Sequence, residues 1–169
     1  SAGCSSGEEP YSIAILLSKI IPNLKDWDIT ILATDINHNF LKKASRGIYT
    51  EWSFRNTPPD FKEKYFRRMN GAYEVLPRFK NMVDFSYLNL AEDIYPSLLN
   101  NTTAMDVIFC RNVLIYFTSG RIKEVIGRFY KSLVDGGWLI VSVTEASPLF
   151  FSQFNTVRFS GAPLYQKEV

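Results

Sequence analysis

The chain has 169 residues, 46% hydrophobic and 21% charged, with a formal net charge of +2 at pH 7, as expected of a soluble globular domain with a sizeable core. No apolar run is long enough to span a bilayer, and the start SAGCSSGEEP has no basic n-region, so it is not expected to be a signal peptide. Two cysteines, Cys4 and Cys110, do not make a disulfide framework, so a reducing compartment fits, with both as small buried side chains near strand ends.

In chain order, Ala2–Gly7 is a run of small residues leading into a helix, Glu8–Ile21. That helix places Ile13, Leu16, Leu17, Ile20 and Ile21 at helical spacing, with Glu8 and Glu9 in its first turn and Pro10 tolerated there. Ile29–Thr34 is a short apolar strand ending at Asp35. Asn37 caps a helix through Ser45, and Gly47 stops it. Thr57-Pro58-Pro59-Asp60 starts another helix, continued by Phe61–Arg68. The Asn70-Gly71 turn lies beside two segments rich in β-formers, Tyr73–Phe79 and Met82–Leu88. They predict a small antiparallel excursion, a β-subdomain at about 68–86, with Val83–Tyr87 rejoining the main sheet. Ala91–Leu99 is expected to be a short helix and Met105–Cys110 a buried strand. Thr118 caps a helix over Ser119–Val134, which ends at Asp135-Gly136-Gly137. Trp138–Thr144 follows as a buried strand, and Thr156–Phe159 with Leu164–Lys167 reads as a terminal hairpin. Strands alternating with helices predict an α/β fold: a mostly parallel sheet with helices on both faces and an antiparallel edge. No internal repeat or linker divides the chain, so one domain is expected over 1–169.

Several polar residues stand where such folds build ligand crevices, at the carboxyl ends of strands. The Ala2–Gly7 turn lets backbone approach a ligand closely, although it is not G-x-G-x-x-G and is also an ordinary strand-to-helix turn. Asp35 either accepts both ribose hydroxyls of a nucleoside or caps the next helix. Glu8 and Glu9 complement the helix dipole, and one of them could face a ligand cation. The absence of a basic phosphate clamp argues against NAD and ATP. Arg111 and Asn112 follow a buried strand although neither is a core residue, and Tyr116 points into a crevice or packs as an aromatic. His38, the only histidine, reads as solvent-facing. One histidine and two distant cysteines make a metal site or a Ser-His-Asp or Cys-His enzyme improbable. Lys42–Lys80 holds ten basic and four acidic residues, a net +6 against −4 for the rest. It steers an acidic partner or is a solvated face, and no nucleic-acid motif accompanies it.

Two segments carry a specific resemblance. Cys4-Ser5-Ser6-Gly7-Glu8-Glu9-Pro10-Tyr11-Ser12 and Cys110–Phe117 (CRNVLIYF), with Asp35, Asn89-Leu90 and Arg46-Gly47-Ile48-Tyr49 between them, stand in order over nearly the whole chain. In this the chain resembles the S-adenosylmethionine-dependent chemotaxis receptor methyltransferases of the CheR type. The resemblance implies the class I methyltransferase (Rossmann-like) architecture, a cytoplasmic location, and methyl transfer to glutamates on cytoplasmic chemoreceptor helices, with S-adenosylhomocysteine as product. It implies no nucleic acid and no membrane insertion. It also implies roles. One of Glu8 and Glu9, with Glu9 slightly favoured, binds the methionine amino group, and Asp35 holds the ribose beside the small residues Ala2 and Gly3. Asn89 and Leu90 flank the adenine, Arg111 and Asn112 line the methionine side, and Tyr116 faces the transferring methyl. Arg111 and Tyr116 are the catalytic candidates. A glutamate carboxylate is ionised near neutral pH and needs no general base, so catalysis is mainly positioning and partial desolvation.

The family usually has an amino-terminal helical domain and a linker that supplies an Arg to the active site, and this chain starts after both. Only Ser1–Gly3 of the first central strand is expected to be present, so a fragment of a longer protein is expected. The alternatives are a methyltransferase for another acidic substrate, and a cofactor- or receptor-binding module of a larger signalling protein.

Overall fold

Apolar residues at helical spacing behind an acidic first turn form α1 (Glu8–Ile20) in the computed structural model, which describes residues 1–169 apart from the side chain of Pro59. The chain divides into two units, Ser1 with Gly3–Leu88 and Ala2 with Asn89–Val169.

In the first unit β1 (Ile31–Asp35) pairs in parallel with β5 (Val83–Tyr87), from Ile31 opposite Val83 to Asp35 opposite Tyr87. On β1 the Ser1 nitrogen donates to the Leu32 carbonyl (2.8 Å), Thr34 N–H to Ser1 (2.9 Å), and Gly3 N–H to Thr34 (2.8 Å). The residues ahead of the turn therefore bond to β1 in the pattern of a parallel strand. α2 (His38–Arg46) starts and stops where local chemistry predicts. The Asn37 side chain accepts from Asn39 N–H (2.9 Å) and Phe40 N–H (3.3 Å), and Gly47 closes the helix at φ 61°.

Between α2 and β5 lie β2 (Ile48–Tyr49), α3 (Pro59–Tyr65), β3 (Phe66–Met69), β4 (Ala72–Val75) and α4 (Pro77–Lys80). The three strands form an antiparallel sheet in the order β2-β4-β3, closed by the Asn70-Gly71 turn. Its strands lie earlier than the sequence suggests. The helix expected through Arg68 stops at Tyr65, and Phe66 turns into a strand whose ring packs edge-on against Phe54 at 4.8 Å. The strand expected over Tyr73–Phe79 stops at Val75, because Pro77 has no N–H for a ladder and suits a first helical turn. The core here gathers Tyr11, Ala14 and Ile15 of α1 with Ala33, Tyr49, Val75 and Phe79. Tyr11 meets Phe85 and Tyr49 edge-on at 5.7 and 6.3 Å.

In the second unit β6 (Met105–Cys110) pairs in parallel with β7 (Leu133–Val141), and the hairpin of β8 (Asn155–Phe159) and β9 (Ala162–Gln166) adds an antiparallel edge, in the order β6-β7-β9-β8. α5 (Ser119–Ser132) buries Val125, Ile126 and Phe129. It ends two residues before the expected Val134, and β7 begins at Leu133. The backbone around Gly136 belongs to the sheet: Gly136 N–H donates to Lys167 (3.2 Å), and Lys167 N–H to Gly137 (2.8 Å). β6 is only half-buried, since Asp106 and Val107 are exposed. Ala91–Leu99 is not a helix; only the short turn Leu98–Asn100 winds there. Side chains have taken the groups a helix would need. Asn89 accepts from Ala91 N–H (3.0 Å), and the Leu90 carbonyl accepts from Tyr95 OH (3.1 Å) and Arg128 (2.9 Å). Pro96 also disfavours helical backbone at Tyr95. Among the described residues no helix is long and apolar enough to cross a membrane.

Candidate functional site

The turn into α1 is built from left-handed backbone. Gly3, Ser5 and Gly7 have φ of 79°, 48° and 91°. Gly3 and Cys4 N–H groups both donate to the Thr34 carbonyl at 2.8 Å, and Tyr49 OH donates to the Ser6 carbonyl at 2.9 Å. Position 7 admits only glycine. A Cβ there would stand 2.8 Å from Ala44 Cβ and 2.9 Å from the Tyr49 hydroxyl, on backbone that side chains rarely adopt.

Asp35 closes β1 and is buried. Its Oδ2 accepts Ser5 N–H and its Oδ1 accepts Asn37 N–H, both at 2.8 Å. A carboxylate offers about four lone-pair sites, so each oxygen keeps acceptor capacity. Asp35 thus braces the Ser5 turn and the approach to α2, a helix that Asn37 caps, and keeps room to accept from a ligand. The two glutamates differ. Glu8 is exposed and accepts from Ser6 Oγ (2.8 Å) and Ser53 Oγ (3.3 Å), while half-buried Glu9 accepts from Ser1 Oγ (2.8 Å). Burial, with the Asp35 charge second, pushes the Cys4 thiol up to about 12, so it stays protonated at neutral pH. His38 stacks on Tyr87, ring centres 4.7 Å apart. Ser1–Ser12 and Ile31–Asn37 hold three carboxylates and neither lysine nor arginine. Those acceptors fit a ligand with hydroxyls and an ammonium group, and do not fit a phosphate.

In the second unit Ala2 N–H donates to the Phe109 carbonyl of β6 at 2.7 Å. Beyond β6, Arg111 is exposed, and Asn112 is exposed with φ 59°. Leu114 is buried at the start of a single 3-10 turn, Leu114–Tyr116. Tyr116 is 81% exposed, so it is not a packed core aromatic. Asn89 is held locally, donating to Glu92 (2.8 Å) as well as accepting from Ala91, and Leu90 is buried.

One residue of this region escaped the sequence reading. Glu145 is buried, with its Oε2 accepting from Asn112 N–H (2.7 Å) and Ser142 N–H (3.2 Å), and its Oε1 from Val113 N–H (2.8 Å) and Ile115 N–H (3.3 Å). The Ser142 hydroxyl donates to it as well. Burial alone would raise its pKa, but the Ser142 hydroxyl and these N–H groups outweigh that and hold the carboxyl below its ordinary value. The available signal was Ser142-x-x-Glu145, a capping box, hidden by reading the strand through Thr144. The structure thus groups Gly3, Glu8, Glu9 and Asp35 in the first unit, and Ala2, Asn89, Leu90, Arg111, Asn112 and Tyr116 in the second. Among the described residues no three His, Cys, Asp or Glu side chains group as metal ligands.

Comparison with known proteins agrees with these features. The solved structures of a TehB-like SAM-dependent methyltransferase from Corynebacterium glutamicum (TM-score 0.57, 10% identity, 100% of this chain and 78% of that one) and of the N-methyltransferase NodS from Bradyrhizobium japonicum (TM-score 0.54, 11% identity, 99% and 84%) share its fold. The architecture is therefore the expected class I, Rossmann-like methyltransferase fold. Chemotaxis protein methyltransferase 2 of Vibrio cholerae is 39% identical over 97% of this chain and 56% of its own length. The chemotaxis protein methyltransferases of Borreliella burgdorferi and Escherichia coli are each 37% identical over 86% of this chain and 50% of their own. The chain spans about half the length of the curated relatives it matches. The CheR methyltransferase, SAM binding domain, profile matches residues 1–160. With GEEPYS and CRNVLIYF in place and relatives this similar along it, the chain belongs to that SAM-binding domain family.

Proposed function

We propose that the chain is the catalytic domain of a cytoplasmic protein-glutamate O-methyltransferase that transfers methyl groups from S-adenosylmethionine to chemoreceptor glutamates, leaving methyl esters and S-adenosylhomocysteine. The observation that carries this reading is Asp35. It is a buried carboxylate at a strand end, with acceptor capacity left on both oxygens, beside a small-residue turn without basic side chains. The relatives named chemotaxis protein methyltransferase support the substrate class.

In the first unit Asp35 would accept the ribose hydroxyls. Glu9, half-buried where Glu8 is exposed, would take the methionine ammonium. Gly3, and Ala2 of the second unit, would supply closely approaching backbone. In the second unit Asn89 and Leu90 would flank the adenine, and Arg111 and Asn112 would line the methionine side. The cofactor supplies an electrophilic sulfonium methyl when bound. Tyr116, its side chain largely open, would orient the receptor carboxylate by donating a hydrogen bond. The nucleophile is ionised near neutral pH, so no base is required of the protein.

Calorimetric titration of the full chain with S-adenosylhomocysteine, followed by radiolabelled methyl transfer to receptor-containing membranes, tests this. Saturable binding and base-labile label on the receptors are expected. Binding without transfer would leave a cofactor-binding module, and no binding would overturn the reading.

A further inference from the structure

We infer that Glu145 is a positioning residue for methyl transfer: its carboxylate fixes the backbone that carries Asn112 and Tyr116. This rests on the function proposed above.

Three N–H groups of one loop, those of Asn112, Val113 and Ile115, converge on the two oxygens of Glu145 at 2.7 to 3.3 Å. Clustered N–H groups of this kind form a concavity suited to an anion. Here the anion is the chain's own side chain, 33 residues along from Asn112. The loop needs such a partner. Asn112 sits at φ 59°, a left-handed conformation that asparagine adopts more readily than other residues with a Cβ but that still needs its surroundings to hold it. The first N–H that Glu145 holds is that of Asn112 itself.

Glu145 is in turn anchored from the other side. Ser142 donates both its N–H and its hydroxyl to the carboxylate, and Ser142 directly follows β7. β6 and β7 are paired to their ends, with Cys110 opposite Val141. The carboxylate therefore ties the loop leaving β6 to the end of the neighbouring strand, so Asn112 and Tyr116 take their directions from the sheet. Reaction rates depend steeply on such placement. The role also requires this side chain. Glutamine would set an NH2 donor against N–H donors, and aspartate is one methylene too short to serve Ser142 and the loop together.

The test compares wild type and Glu145→Gln in the full chain, well below the melting temperature of both. Amide exchange at Asn112, Val113 and Ile115 should quicken about tenfold or more as protection is lost. Turnover should fall roughly 10- to 100-fold, with the KM for receptor within about twofold of wild type. Glu145→Asp should recover part of the turnover. Wild-type turnover in Glu145→Gln, or lost turnover with unchanged exchange at the three amides, would overturn the inference. If Glu145→Gln does not fold, Ser142→Ala decides. It keeps the Ser142 N–H bond, so it should fold with a modestly lower melting temperature and turn over several-fold more slowly, and an unchanged rate would overturn the inference. A wild-type chain that binds no S-adenosylhomocysteine would instead defeat the proposed function, and this inference with it, before any variant is compared.

Discussion

Asp35 holds the N–H groups of Ser5 and Asn37 with one oxygen each, and the remaining lone pairs are what a ribose diol would take. Asp35→Ala should therefore weaken S-adenosylhomocysteine binding by about 1–3 kcal/mol, the range for losing hydrogen bonds to a buried charge. Calorimetry on the full chain measures it, with melting followed in parallel because the Ser5 turn loses an anchor too. Unchanged affinity would leave Asp35 a brace for the Ser5 and Asn37 backbone alone. Tyr116 differs because its side chain is largely exposed and contributes little to packing. Tyr116→Phe should lower turnover while leaving cofactor affinity near normal, as expected for a hydrogen bond made mainly in the transition state. Single-turnover rates equal to wild type would remove Tyr116 from the chemistry.

The elements divide by how local their causes are. α2 was legible because Asn37 and Gly47 act within a few residues of the helix they bound. Its strand partner β1 was legible for the same reason, as a short apolar run ending in Asp35. Ala91–Leu99 misled because the carbonyl of Leu90 is claimed by Arg128, 38 residues away, and such a contact leaves no mark in a local window. Phe66 misled because its strand follows from a ring packed on Phe54, a tertiary cause overriding helical propensity. The candidate site followed the same rule. Asp35, Asn112 and Tyr116 stood out as odd residues at strand ends, whereas Glu145 showed locally only as the end of a capping box, and its hold on the loop needs partners about 30 residues upstream. The clamp it makes has a pH signature. Its carboxyl is held below the ordinary value, near 4.3 for an unperturbed glutamate, so the stabilisation is complete above that pH. It is lost as pH falls through the lower folded-state pKa. The gap in melting temperature between wild type and Glu145→Gln should accordingly shrink as pH falls below about 4.3. A gap that stays constant there would mean the charge is not what holds the loop.

Charge is the property that belongs to the molecule as a whole. The surplus lies in Lys42–Lys80, entirely within the first unit, and part of it is answered there. Lys62 pairs with Glu51, and Arg67 and Lys80 share Glu74 at 2.5 and 3.3 Å. These surface pairs, half-buried at Lys62, Glu74 and Lys80, add little stability and blunt the local field. Lys64 and Arg68, both exposed, are better probes of steering than Arg67, whose reversal would also break an ion pair. Reversing both should slow association with receptor-containing membranes and flatten its dependence on salt, because the Debye length falls as ionic strength rises. Stopped-flow traces at several salt concentrations decide, and equal slopes for the two proteins would make this a solvated face. A different consequence follows from the outermost strand of the second unit's sheet. Every residue of β8 is exposed, including Val157 and Phe159, and Arg158 between them carries the strand's only charge. A free strand edge can template a second copy of itself, and a cation in its middle opposes that by repulsion. The purified protein should therefore owe its shelf life at high concentration to Arg158. A stock of Arg158→Ala should turn cloudy at a lower concentration than wild type while folding and melting alike.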